Sequence, residues 1–328
     1  MSKSSIKKAA LKIIAGAAVF GLIYWTVGGQ WQDIFETSRL ADKKFLAASF
    51  LIYGLALYLT CLRWHVLLKA QDISISHWEV IKLHYSGYFF NTTTPGAVTG
   101  DVIKIAAIIE KSDEKITAAM SIFIDRLIGL SGLLAVVLIS LVPAADFISS
   151  NKHQEINLAI YIVSAGAIIG LGCILLWCIK AHLLKIKFIK SIISAVSEKY
   201  PRLKKAFLEV FKAGDMYQEK WRTCLALFFL SMFCHLLLGF SFYLIGRSLG
   251  LDISPVLFIL SMQISNAIAA VFPLPGGLGL RDSIGKSFLV AAGTPDTMAA
   301  TAPLIYSGVI LSWGLIGALT FLYWRLTK

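Results

Sequence analysis

Phe272-Pro273-Leu274-Pro275-Gly276-Gly277-Leu278-Gly279-Leu280-Arg281-Asp282 stands inside an apolar stretch running from about 254 to 291. Asn91-Thr92-Thr93-Thr94-Pro95-Gly96-Ala97-Val98-Thr99-Gly100-Asp101 interrupts another, from about 78 to 110. Each stretch is too long for one membrane span of about 20 residues and too interrupted for two. Proline removes a backbone donor and glycine relaxes the chain, so neither run continues as one helix. Each is predicted to be a half-helix, a loop and a second half-helix, that is, a re-entrant hairpin.

The rest of the chain agrees with a lipid solvent. Hydrophobic residues make up 57% of 328 and charged ones 15%, with a mean hydropathy of +0.74, which excludes a water-soluble domain of this size. Apolar runs near twenty residues favour helices over the alternating ten-residue strands of a barrel. Full spans are predicted over roughly 10–27, 45–68, 116–142, 157–179, 222–247 and 301–324. The fold class is therefore an all-α polytopic membrane protein of about six full spans plus two re-entrant hairpins. Residues 1–12 are basic and precede an apolar stretch, but no small-x-small site follows, so the first span is expected to be an uncleaved helix.

The net charge of +12 does not point to nucleic acid, because much of it sits in one loop. Between Lys180 and Arg222 there are eleven Lys/Arg and four acidic residues, and no base-reading motif. The predicted outer loops 28–44, 143–156, 248–253 and 292–300 carry only Arg39, Lys43, Lys44 and Lys152. By the positive-inside bias both termini and the loop 180–221 are cytoplasmic, in the bacterial inner membrane. In that loop, Leu183, Leu184, Ile186, Phe188, Ile189, Ile192 and Ile193 interleave with lysines, which fits either an interfacial helix or a solvated connector. The five cysteines lack metal or redox spacing and are read as packing residues.

The order of elements divides the single membrane domain, 1–328, into two triplets. Span, hairpin and span over 45–142 are followed, after the basic loop, by span, hairpin and span over 222–324. The first triplet enters its hairpin from the cytoplasm and the second from outside, which makes an inverted repeat. Paired interrupted segments in inverted halves point to a transporter's midplane site.

The half-helices beginning near Gly100 and Gly279 should offer free N–H groups and the positive dipole end to an anion, with Gly96, Gly276 and Gly277 in the loops. Lys104 and Arg281 add charge beside them, each close to an aspartate, Asp101 and Asp282. Asp125 and Arg126 fall near the midplane, where an ionised residue is normally functional. Arg126 is a phosphate contact on this reading and Asp125 its counter-ion or a partner for Lys104 or Arg281; a structural ion pair between helices is the other reading. Arg63 and Arg247, near the ends of matching spans, read as snorkelling anchors, with substrate contact the other reading. Asn91 and Thr94, with Thr92, Thr93 and Thr99, suit a hydroxylated headgroup or the caps of half-helices. His84 and His235 read as packing or hydrogen-bonding residues. No metal site, catalytic motif or P-loop is present, so no cofactor is expected and any transport must use a gradient or run downhill.

At Arg63-Trp64-x-x-Leu67-Leu68, Gly87 to Asp101, Asp125-Arg126-Leu127 and Pro275 to Asp282 the chain resembles the flippase-like membrane domain of lysylphosphatidylglycerol synthases and its free-standing relatives. The resemblance covers nearly the whole chain. It implies a lipid translocase, not an enzyme, acting on an anionic phospholipid or polyprenyl-linked lipid, and expected to lack the soluble aminoacyl-transferase domain. Lys104 and Asp125 stand where the family pattern leads us to expect Arg and Glu. Lys lacks the bidentate fork of Arg, which favours Arg126 for phosphate. A lipid-phosphate enzyme with His84 or Asp101 as base, and a scaffold acting through the basic loop, are the alternative readings. A homo-oligomer is left open.

Overall fold

The computed structural model describes residues 21, 24, 29–94, 99–109, 115–183, 219–272 and 274–326, with the backbone alone at 115–118 and 173–183. The predicted first span apart from Gly21 and Tyr24, the residues Pro95, Gly96 and Pro273, and nearly all of the basic loop lie outside the described residues. Every regular element among the described residues is helical. In chain order these are α1 (Trp31–Leu40), α2 (Lys43–Ala70), α3 (His77–Thr93), α4 (Thr99–Ile109), α5 (Lys115–Leu141) and α6 (Ala145–Ser150). They continue with α7 (Gln154–Leu183), α8 (Trp221–Ser248), α9 (Pro255–Ala269), a 3-10 turn (Pro275–Gly277), α10 (Leu280–Ala291) and α11 (Asp296–Leu326).

Among the described residues α2, α5, α7, α8 and α11 are each long and apolar enough to cross a membrane, matching five of the six expected spans. The chain is an all-α polytopic membrane protein. Leu51, Phe229, Leu315 and Leu319 stand exposed on the outside of these helices, as a lipid solvent requires. Helix starts follow local capping chemistry: Asp42 accepts from the Lys44 N–H at 2.8 Å, Ser76 from Glu79 at 3.2 Å, and Ser254 from Val256 at 3.3 Å ahead of Pro255.

Two of these helices form the axis of the molecule. Four contacts between α2 and α8 occur in opposite chain order. The Asp42 N–H donates to the Ser248 carbonyl at 2.9 Å, Ser49 and Ser241 exchange hydrogen bonds with Oγ atoms 2.8 Å apart, Arg63 reaches Ser231, and Lys220 Nζ meets the Ala70 carbonyl at 2.6 Å. The two helices are therefore antiparallel along their whole length. The remaining packing is reciprocal: α3 lies on α11, and α9 lies on α5. Apolar clusters fill both sides, one around Tyr53, Phe242, Phe258 and Tyr306, the other around Val137, Ile160, Leu260 and Ile264.

Both interrupted stretches break where expected. The first gives α3 and α4, whose backbones touch: a Cβ built on Gly100 would lie 1.9 Å from the Gly87 carbonyl oxygen. The second gives α9 and α10, joined through Gly276, Gly277 and Gly279 at φ of 57°, 69° and 80°, the left-handed region that side chains disfavour. Two elements were not expected. The outer loops predicted over 28–44 and 143–156 contain α1 and α6. α1 buries Ile34 against Ala300 and Leu304 of α11, where Thr297 Oγ1 also donates to Gln30 Oε1 at 3.0 Å, while Trp31, Phe35 and Leu40 stay exposed.

Candidate functional site

The residues singled out from the sequence fall into two groups. The first lies where α2, α4 and α5 meet. Arg63 on α2 donates from Nε to Asp125 Oδ1 at 2.7 Å and from Nη2 to Oδ2 at 3.2 Å, and its Nη1 reaches Ser231 Oγ at 3.0 Å. Both partners are buried, their side chains 7% and 11% exposed. Arg63 is thus not a snorkelling anchor. It lies seven residues, about 10 Å of helix, inside the end of α2 at Ala70. This two-pronged pair between α2 and α5 is the structural ion pair of the other reading, with Arg63 in place of the partners expected for Asp125, which were Arg126, Lys104 or Arg281.

Adjacent helical residues are about 100° apart, so Asp125 facing α2 leaves Arg126 facing another neighbour. Arg126 turns to α4, where its Nε donates to Asp101 Oδ2 at 2.7 Å. Asp101 is 2% exposed, and its other oxygen has no hydrogen-bond partner among the described residues but faces Lys104 Nζ at 3.7 Å. Lys104, one turn on along the same helix, is itself buried and lies over the Trp64 ring at 4.9 Å. Arg126 differs from the others in being half exposed, at 51% of its side chain.

The second group closes the other break. Arg281 Nη1 donates to the Gly276 carbonyl at 3.0 Å and Nη2 to Ser307 Oγ at 2.8 Å; Ser307 in turn donates to Asp282 Oδ1 at 2.6 Å. The remaining Asp282 oxygen accepts the Gly279 N–H at 2.9 Å, and Arg281 and Asp282 are 5% and 0% exposed. Arg281 therefore clamps its own loop to α11, and its charge is balanced by its neighbour. The Tyr53 and Tyr88 hydroxyls meet at 2.8 Å between α2 and α3, and the guanidinium of Arg281 lies over the Tyr306 ring at 5.6 Å.

The expected free N–H groups are therefore only partly available. Gly100 N–H is taken by Asn91 Oδ1 at 2.8 Å and Gly279 N–H by Asp282, so the second half-helix already carries its own anion. Asn91 acts as a cap, and the Thr94 hydroxyl donates back to the Phe90 carbonyl, which favours the capping reading for both. His84 shares a 3.1 Å hydrogen bond with Thr60 and His235 one of 3.0 Å with the Gly129 carbonyl, in keeping with their packing roles. Gly96 lies outside the described residues. Gly277 is close to the Ala269 side chain, on the α9 side of the turn.

The two breaks meet. A Cβ on Gly276 would lie 3.4 Å from Thr92 Cα at the end of α3, and the 3-10 turn packs along that helix. Residues 12–318 match the lysylphosphatidylglycerol synthase TM region. The chain belongs to that family. Within it the chain is similar to the UPF0104 membrane protein PH1989 of Pyrococcus horikoshii, 24% identical over 318 residues and 90% of each chain. A UPF0104 membrane protein of Methanothermobacter thermautotrophicus is 31% identical over 94 residues, 29% of this chain and 26% of the relative. Arg63, Trp64, Ser231 and Ser307 complete the site geometry of this family member, and sequence reasoning placed none of the four in it. For Arg63 the available signal was its neighbourhood: Cys61, Leu62, Trp64, Leu67 and Leu68 make the sequence around it largely apolar.

Proposed function

We propose that this protein is a lipid translocase, moving an anionic phospholipid or lipid-linked glycan between the leaflets of the inner membrane, with no catalytic role. The observation that carries this reading is the contact between the two helix breaks, Thr92 against Gly276, inside a membrane bundle that also buries Asp101, Lys104, Asp125 and Arg281. Irregular backbone survives at membrane depth only against protein or a wet cavity, and paired broken helices at a repeat interface are where transporters bind substrate. The antiparallel α2–α8 seam and the reciprocal packing of α3 on α11 and α9 on α5 support treating 45–142 and 222–324 as inverted halves with re-entrant hairpins. Termini and basic loop are cytoplasmic on this reading.

Arg126 is the headgroup contact, because its half-exposed side chain sits beside a buried counter-ion. Lys104 and Asp101 set the charge around it, and Gly100, Gly276, Gly277 and Gly279 let the breaks approach. The acyl or prenyl tail stays in lipid while the halves rock. Asp101, the base in an enzyme reading, is already committed to Arg126.

The test is leaflet exchange of fluorescent lipids in proteoliposomes. Arg126→Ala is expected to slow exchange at least tenfold while the protein still folds; Arg281→Ala should lower both exchange and stability, since it unclamps a loop. Wild-type exchange in the Arg126→Ala protein would reject Arg126 as the headgroup contact, and no exchange by the wild type would reject translocation.

A further inference from the structure

We propose that Asp101 is a built-in counter-anion for Arg126, that a lipid-borne phosphate binds by taking its place, and that Asp101 thereby sets how much negative charge the site accepts. This rests on the reading of Arg126 as the headgroup contact. The pair is asymmetric: the Asp101 side chain is 3% exposed while that of Arg126 is 51% exposed, so the cation is the member an incoming ligand reaches. Carboxylate and phosphate oxygens are equivalent acceptors for a guanidinium, and both bind it through charge-assisted hydrogen bonds.

Exchange requires somewhere for the carboxylate to go. Among the described residues Asp101 Oδ1 is buried without a hydrogen-bond partner, and it stands 3.7 Å from Lys104 Nζ, just beyond the hydrogen-bonding range of about 3.2 Å. A small side-chain rotation closes that gap, and Lys104 is held ready over the Trp64 ring. The displaced carboxylate therefore passes from one cation to the other without becoming an unpaired buried charge, which would be strongly unfavourable. It also remains beside the bound phosphate. A singly charged phosphodiester is tolerated there, and the second charge of a phosphomonoester is opposed.

Native mass spectrometry of the full chain in nanodiscs containing phosphatidylglycerol and phosphatidic acid with matched tails tests this, at a pH where the phosphomonoester is doubly charged. The wild type should retain phosphatidylglycerol in preference. Asp101→Asn should bind both lipids more tightly, with phosphatidic acid gaining on the order of tenfold more, the size of one added charge interaction that is largely screened by water. Asp101→Glu should keep the wild-type ranking, and Lys104→Gln, which removes the second partner, should weaken both lipids. An Asp101→Asn protein with unchanged ranking, or a Lys104→Gln protein that binds as tightly as the wild type, would overturn the proposal while leaving the translocase reading intact. Retention of neither lipid by the wild type overturns the proposal together with the reading of Arg126 as a phospholipid contact, while translocation itself is judged by exchange. Added inorganic phosphate should displace neither lipid; displacement would make this a free-anion site and overturn the lipid-borne assignment.

Discussion

Asp125 and Arg126 are neighbours in sequence with separate tasks, and a helix makes that separation unavoidable. One turns to Arg63 and ties α5 to α2; the other turns to Asp101 and meets α4. Removing one member of a buried ion pair strands the other, at a cost of about 3–5 kcal/mol, whereas replacing both with apolar groups is often neutral. Asp125→Ala and Arg63→Met should therefore each lower the unfolding temperature in detergent clearly, and the double variant should recover most of the loss. A double variant as unstable as the sum of the two would show that Arg63 and Asp125 act independently. That Asp125 and Arg126 fall inside a long apolar helix was legible from the sequence, since position in a span follows from counting. The sequence did not reveal the partners, because a partner from a helix about sixty residues away depends on how helices pack.

At the scale of elements, the broken stretches were legible because Pro and Gly act locally, on one residue's own backbone. Their arms were legible to within a residue or two: 78–110 became α3 and α4, and 254–291 became α9 and α10. What periodicity missed was α1 and α6, short helices in loops whose polar content masked them. Asn91 closing the N-terminus at Gly100 was one of the two readings the sequence left open, whereas Asp282 closing that at Gly279 was missed. The contact between Gly87 and Gly100 gives this scale its prediction. A methyl group on Gly100 would sit 1.9 Å from a carbonyl oxygen that cannot move without its helix, so Gly100→Ala should separate α3 from α4. The expected result is a sharp loss of folded protein by size-exclusion fluorescence, against near-normal yield for Gly308→Ala, whose added methyl would meet nothing within 4 Å. Equal yields would mean the α3–α4 contact is dispensable.

At the scale of the molecule, α2 and α8 are fastened to each other at four heights, from Asp42 and Ser248 to Ala70 and Lys220. A seam fastened along its length can act as a pivot but not as an opening. Ser49→Cys with Ser241→Cys places two thiols where hydroxyls now meet at 2.8 Å, so a disulfide should form on mild oxidation. Lipid exchange should then persist at close to the wild-type rate. Exchange that stops on oxidation and returns on reduction would mean that the seam itself opens. The order of spans and breaks was readable from the sequence, yet the seam was not, because it rests on small serine contacts that hydropathy does not distinguish. Rotation about the seam has a further consequence at the surface. α1 rests on α11 and is joined to α2 through only Ala41 and Asp42, with Trp31, Phe35 and Leu40 turned outward. On the proposed rocking of one half against the other, this helix would be carried with α11 and its outward side chains would sweep through the surrounding lipid, so the tension and thickness of the bilayer would enter the work of each cycle.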